Sequence, residues 1–437
     1  MYYHSPNSDL SNKANHRAGH TMVAHRGRAV VWGGYMENQD NINQIWPSNE
    51  ILLLEAMTHK WTSHQTKGNV PSKCSGAAAC VLGDTMFMIA GFHEVTLSLK
   101  ALTQQDEIPA PVVIDPTDNN PEHETITRVE VSNTIWSLDL ITLVWTKLRP
   151  EGVPPLKCDK TASWSHGHKV YTFGGFGPPP PRNHPNSSRI NFKFAGDITT
   201  SQGHSGYTKG WSNQLVIYNT ATNSWEWPIC GGFPPSPRAA HSAAVIDNIA
   251  YVFGGHYMDQ KLNDLHALNL NSLIWTPIIN SNTDDIGPRI AMPVGRSWQT
   301  MTSVYTGHSE GGLLLYGGFD NNLTTLGDCW RMDLSLNPVS WIRCRHLEQG
   351  RRLWHASVSL DEDQVIIVGG ITNNILAPSY LLKHHAANTL QLKVAPSSLL
   401  KICLEIVEKH FDPYKEDMEY LPIHLKKIIQ TRHSSKI

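Results

Sequence analysis

The chain has 437 residues, 40% of them apolar and 17% charged, a balance that fits a folded protein with a sizeable core and excludes a disordered one. Its 36 Lys and Arg against 38 Asp and Glu leave a net charge of −2, no basic excess for a phosphate backbone, so nucleic acid is set aside as a partner. Seven cysteines, scattered and never in a C-x-x-C pair, argue against a disulfide scaffold or zinc module, and neither a run of 18 apolar residues nor a signal-peptide core appears: the expectation is a soluble, intracellular protein with no membrane contact.

From residue 17 onward the chain reads as short strands. Gly19-His20-Thr21-Met22-Val23 leads to Val30-Val31-Trp32-Gly33-Gly34-Tyr35, an apolar run ending in two small residues and a bulky one. That ending returns at Ala90-Gly91-Phe92, Gly174-Gly175-Phe176, Gly254-Gly255-His256, Gly317-Gly318-Phe319 and Gly369-Gly370-Ile371. The second glycines, at 34, 91, 175, 255, 318 and 370, lie 57, 84, 80, 63 and 52 residues apart. The shortest step suits a four-stranded repeat of about 50 residues, and the longer ones imply inserted loops. Each copy also has an upstream strand, such as Ala240-His241-Ser242-Ala243-Ala244-Val245, and a downstream alternating one, such as Gln214-Leu215-Val216-Ile217-Tyr218. A tryptophan then opens a fourth, at Trp61, Trp145, Trp225, Trp275 and Trp341. Glycines for close backbone approach and one aromatic wedge per unit describe an all-β, six-bladed propeller over residues 17–395.

Residues 93–133 and 177–209 read as long loops, the second opening on a run of four prolines, and 277–290 as a shorter one. The sixth unit shows only three strands, ending at Val394. Residues 1–16 form an N-terminal tail that is a candidate to supply the missing strand and close the ring. Beyond Val394 the period becomes helical: Ser397 and Ser398 cap an amphipathic run through Phe411, and Pro422 suits the first turn of another helix.

Strands one and two of a unit run antiparallel, so the start of the first and the end of the second open on one face. Tyr35, Phe176, His256, Phe319 and Ile371 are therefore expected to share a rim with Lys160, Ser297 and Trp298, with Trp211 leaning in. A concave, aromatic-walled mouth with a few cations suits the carboxylate end of an extended peptide.

On its phased Gly-Gly units and tryptophans the chain resembles the kelch family. In the tail, Ser398-Leu399-x-x-x-Cys403-x-x-x-Val407 resembles an elongin-C-binding box, and Leu421-Pro422-x-x-Leu425-x-x-x-Ile429 the adjoining cullin-2 box. Both in order after a propeller resemble the kelch substrate receptors of cullin-2 RING E3 ubiquitin ligases. Stretches such as Gly210-Trp211, Val294-Gly295-Arg296-Ser297-Trp298 and Arg352-Leu353-Trp354-His355 match that group.

The resemblance implies a non-catalytic ligase subunit of nucleus and cytoplasm, with no cofactor and no metal. Its partners would be elongin C, elongin B and cullin-2 with its RING subunit, together with the C-terminal tails of substrate proteins, read as diglycine-like degrons. Residues 396–437 would be the helical box, with Leu399, Cys403 and Val407 meeting elongin C. Leu421, Pro422, Leu425 and Ile429 would meet cullin-2. By position, Tyr35, Lys160, Trp211, Ser297 and Trp298 would line the degron pocket, with Ile375 and Leu376 as apolar wall. The two arginines that clamp the terminal carboxylate in that group fall on His256 and Lys261, and its pocket tyrosine on Phe176. A lysine is a point charge and a histidine is half-charged near neutrality, so weaker carboxylate binding is expected, strengthening as pH falls from about 8 to 6. The alternative is a non-enzymatic kelch scaffold or adaptor that recruits no ligase.

Overall fold

A computed structural model describes residues 9–37, 44–98, 125–181, 184, 192–197, 208–279, 292–305, 311–334, 339–361, 363–378, 381–395, 402–404, 406–407 and 420–434. Its core is a series of six antiparallel meanders. The first comprises Thr21–His25, Arg28–Trp32, Glu50–Glu55 and Trp61–Gln65, and the second Ala78–Leu82, Thr85–Ile89, Ile135–Asp139 and Val144–Lys147. The third takes Ala162–His166, Lys169–Phe173, Leu215–Asn219 and Ser224–Glu226, and the fourth Ser242–Ile246, Ile249–Tyr257, Gln260–Asn269 and Ile274–Ile279. Thr300–Val304, Gly312–Asp320, Thr325–Asp333 and Trp341–Arg343 build the fifth. The sixth has three strands among the described residues, Ala356–Asp361, Gln364–Val368 and Leu390–Lys393.

The first strand of each sheet packs against the first strand of the next, and the sixth returns to the first. This closed cycle is the arrangement of a β-propeller. Apolar clusters fill the seams between neighbouring sheets, and the five phased tryptophans sit in them, each at most 9% exposed. Burying an aromatic of this size contributes on the order of 2–3 kcal/mol, so the wedges hold the sheets apart at a fixed angle and hold them together. At the fourth sheet, Gly254 and Gly255 have φ of +63° and +101°, and a Cβ on Gly255 would lie 2.8 Å from that of His241. At the second position only glycine fits, whereas Ala90 takes the first position of the second sheet's turn at φ +65°.

The ring closes differently from the sequence expectation. Residues 9–15 form a helix, Asp9–Asn15, rather than a strand. Leu10 and Ala14, four apart on one face, pack into the cluster between the first and sixth sheets. Lys13 pairs with Glu50 at 2.6 Å, Thr389 Oγ1 donates to Asn15 Oδ1 at 3.0 Å, and the amide of Gly370 donates to the Arg17 carbonyl at 2.7 Å. Tertiary burial overrides weak propensity here, since seven residues make no stable helix in isolation.

The first long loop is also partly corrected. Its two ends, Phe92–Ser98 and Thr125–Val131, pair as a seven-residue antiparallel ladder rich in β-branched residues, and 99–124 lie outside the described residues. The second loop contributes Phe194–Gly196, which pairs with Gly210–Ser212. In the tail, residues 402–404 and 406–407 are helical, as is Ile423–Ser434. Leu404 and Ile429 bury each other beside Val407, Leu421, Leu425, Ile428 and Met57 of the first sheet's outer turn.

Candidate functional site

One residue per sheet, just before its first strand, lies at the centre of the ring: Gly19, Gly76, Lys160, Ala240, Trp298 and Trp354. All six adopt left-handed backbone, with φ between 54° and 68°. Their amides and carbonyls form an unbroken hydrogen-bonded circle: Gly76 donates to Gly19, Lys160 to Gly76, Ala240 to Lys160, Trp298 to Ala240, Trp354 to Trp298 and Gly19 to Trp354, at 2.7–3.1 Å. Lys160, Trp298 and Trp354 carry bulky side chains in a conformation that disfavours them, strain of a kind that concentrates at binding sites. They line a cavity of about 130 Å³ with the residues that follow in the chain, among them His20, His241, Gln299 and His355.

The residue before each of these six pairs with the residue after the Gly-Gly turn. Thus Ala18 meets Tyr35, Ser75 Phe92, Asp159 Phe176, Ala239 His256, Ser297 Phe319 and Leu353 Ile371. The sheet ladders therefore aim the expected rim at one mouth. On one side Phe176 and Trp211 lie 5.1 Å apart between centroids, and Trp211 meets His256 edge-on at 5.5 Å. On the other, Trp354 lies 5.3 Å from Tyr35 and 6.2 Å from Trp298, which in turn is 6.2 Å from Phe319.

Two cationic positions differ in character. Lys261 is 9% exposed and its ammonium sits 5.2 Å over the Phe319 ring. Among the described residues no carboxylate is within ion-pair distance of it, and burial pulls its pKa down despite the attraction of Asp320. Beside it Ser297 is fully buried, and its Oγ and the Trp298 Nε1 have no hydrogen-bond partner among the described residues. Lys160, by contrast, is bonded to the carboxylate of fully buried Asp159. Burial pushes the Asp159 carboxyl upward while Lys160 and Lys209 oppose that.

His256 overturns one expectation. Burial first, and then the charge of Lys261, lower its pKa to about 4, so it is neutral throughout pH 6–8 and supplies no second cation in the unliganded mouth. Among the described residues Lys261 carries that role alone on this side.

Tyr35, Lys160, Phe176, Trp211, His256, Lys261, Ser297 and Trp298 thus converge, and Ile375 packs with Tyr35, Trp298 and Trp354. Leu376 is 59% exposed and stands outside that cluster. Sequence reasoning missed Trp354, Phe92 and Asp159. Trp354 stands two residues after Arg352 as Trp298 does after Arg296, and Phe92 follows its turn as Phe176 does, so the repeat register holds the signal for both. In the tail, Leu399 lies outside the described residues. Cys403 and Pro422 are exposed, whereas Val407, Leu421, Leu425 and Ile429 pack within the tail cluster. The outward apolar residues are Ile402, Ile406, Tyr420 and Ile423, 39%, 50%, 87% and 72% exposed.

Residues 126–304 and 202–370 match the family described as the KLHDC2/KLHL20/DRC7 Kelch-repeats domain. Kelch domain-containing protein 2 of Bos taurus is 32% identical over 425 residues, covering 96% of this chain and 91% of that protein. The chain belongs to the kelch-repeat family of Kelch domain-containing protein 2. The Homo sapiens protein of that name is 31% identical over 425 residues, and Kelch domain-containing protein 1 of Homo sapiens is 29% identical over 422, covering 95% of this chain and 89% of that one.

Proposed function

We propose that this kelch protein is the substrate receptor of a cullin-2/elongin B/C ubiquitin ligase and captures protein C-termini in the mouth of its propeller. The observation that carries the reading is Lys261, 9% exposed and with no carboxylate at ion-pair distance among the described residues, beside the unpartnered Ser297 hydroxyl and Trp298 indole. A largely buried cation with adjacent donors and no ion-paired carboxylate among the described residues is matched to a ligand carboxylate, and the aromatic walls suit the backbone of an extended peptide. The neutral His256 and the hydroxyl-free Phe176 favour a terminus held by one charge and two neutral donors. The tail supports the ligase half of the reading, because its outward apolar residues remain uncovered after its own helices have packed.

The test of recruitment is co-purification with elongin B/C and cullin-2. Leu399→Ala with Cys403→Asp is expected to abolish it, the loss of one anchor side chain alone costing about 2 kcal/mol or more at a hot spot. The propeller's thermal unfolding should not change. Undiminished recruitment would leave the scaffold alternative.

A further inference from the structure

We infer that Asp159 is a specificity-determining residue of the mouth: it holds the Lys160 ammonium as an internal counter-ion, so that this side of the mouth discriminates against acidic ligand side chains that a bare lysine would attract. The inference deepens the peptide-binding reading and rests on it for its ligand arm.

Asp159 is the odd member of its ring. The five equivalent positions hold Ala18, Ser75, Ala239, Ser297 and Leu353, all neutral, and only Lys160 among the six central residues is charged. The backbone of Asp159 is pinned at both groups, its amide to the Phe176 carbonyl at 2.9 Å and its carbonyl from the Phe176 amide at 3.0 Å. Its side chain is fully buried; Oδ2 accepts from Lys160 Nζ, and Oδ1 has no hydrogen-bond partner among the described residues. The ammonium so held lies 5.0 Å over Phe92, 5.9 Å over Phe176 and 5.8 Å over Trp354. Lys209 lies 5.7 Å over Phe92 from its own side and is attracted by the same carboxylate. A carboxylate and three ring faces satisfy an ammonium without a ligand. The opposite side of the mouth lacks this device: Lys261 sits over the Phe319 ring and feels Asp320, but among the described residues no carboxylate is bonded to its ammonium. The two sides therefore divide the work: Lys261 receives one negative charge, and the Asp159–Lys160 pair offers little to a second.

The test has one arm that needs no ligand. In the full-length protein at pH 8, acylation of Lys160 by a small amine-reactive ester is read by mass spectrometry, with exposed Lys67 as internal reference. Asp159→Asn is expected to speed Lys160 labelling at least fivefold, since the side-chain nitrogen is no longer held against a buried carboxylate. In the second arm, glycine-ended peptides that differ by Glu or Gln at each of the four positions before the terminus are titrated. The wild-type protein should bind each pair within twofold, and Asp159→Asn should prefer Glu by about fivefold at one position or more. Asp159→Ser repeats both arms with the residue that two other sheets carry at this point. Unchanged labelling overturns the pairing whatever the peptides do. Faster labelling with an unchanged Glu-to-Gln ratio overturns the specificity role. Faster labelling with no peptide bound by either protein keeps the pair and removes the peptide reading instead.

Discussion

Sheets one, four, five and six solve one problem with arginine, and sheets two and three solve it without. The carbonyl before the second small residue of each turn points into protein and needs a donor. Arg17, Arg238, Arg296 and Arg352, all at most 1% exposed, give theirs to Gly33, Gly254, Gly317 and Gly369 at 2.9–3.2 Å. In sheets two and three the arginine position is Cys74 or Cys158, and the carbonyls of Ala90 and Gly174 are met by His93 Nε2 at 3.0 Å and Gln214 Nε2 at 3.3 Å. The donor is obligatory and its charge is not. Two of the four charges meet a carboxylate, Arg238 forking onto Asp264 at 2.8 and 2.8 Å and Arg296 onto Asp328 at 2.7 and 2.9 Å, whereas Arg17 donates to the Lys13 carbonyl at 2.9 Å and Arg352 to Asn388 at 3.2 Å. Of the two sheets without arginine, the third places Asp159 and Lys160 at the mouth and the second places Ser75 and Gly76.

The comparison can be broken most forcefully at the charged struts. Arg238→Leu leaves Asp264, whose pKa burial raises but Arg238 and His266 hold far below the carboxylate range, buried with half its partners gone. A loss of about 3–5 kcal/mol in chemical denaturation is expected. Gln214→Ala should cost less, roughly 1–3 kcal/mol, since it orphans the Leu156 amide, which donates to Gln214 Oε1 at 2.8 Å, and leaves the neutral Gly174 carbonyl to the longer Ser212 Oγ contact at 3.4 Å. Equal losses would mean that the guanidinium–carboxylate pair adds nothing to the strut.

A smaller effect sharpens the same contrast through pH. His20, His241 and His355 follow the ring residue in three arginine-bearing sheets; sheets two and three have Ala77 and Thr161 there, and sheet five has Gln299. Burial chiefly, with the adjacent Arg17 or Arg238, lowers the pKa of His20 and His241 to about 3. The unfolded chain takes up these protons near pH 6.5 and the folded chain does not, so stability is full above that pH and falls as pH drops toward the folded value. At pH 5 each histidine accounts for a loss of about 2 kcal/mol. His241→Gln, the residue sheet five uses, should flatten the fall in Tm between pH 6.5 and 5; an unchanged slope would exclude His241 as a source of acid sensitivity.

Most of the ring was legible in the sequence because Gly-Gly turns and phased tryptophans each follow from one local need, a left-handed turn or an inter-sheet wedge. The helix Asp9–Asn15 was not, since its formation depends on Leu10 and Ala14 finding a groove made by sheets at opposite ends of the chain. At the mouth, residues placed by strand register came together as read. The charge states did not follow from residue type: His256 loses its proton affinity to burial and Lys261, and Lys160 is answered by Asp159, both consequences of neighbours brought in by folding.

In the proposed function Lys261 reads a chain terminus. The direct measurement is calorimetric titration of one glycine-ended peptide, as free acid and as amide, into the wild-type protein and Lys261→Met at pH 7.4. Loss of a desolvated charge pair costs about 2–5 kcal/mol, so the acid should bind the wild type at least ~30-fold tighter than the amide, and Lys261→Met should erase the difference. Equal affinity of acid and amide for the wild-type protein would contradict terminus recognition by this mouth.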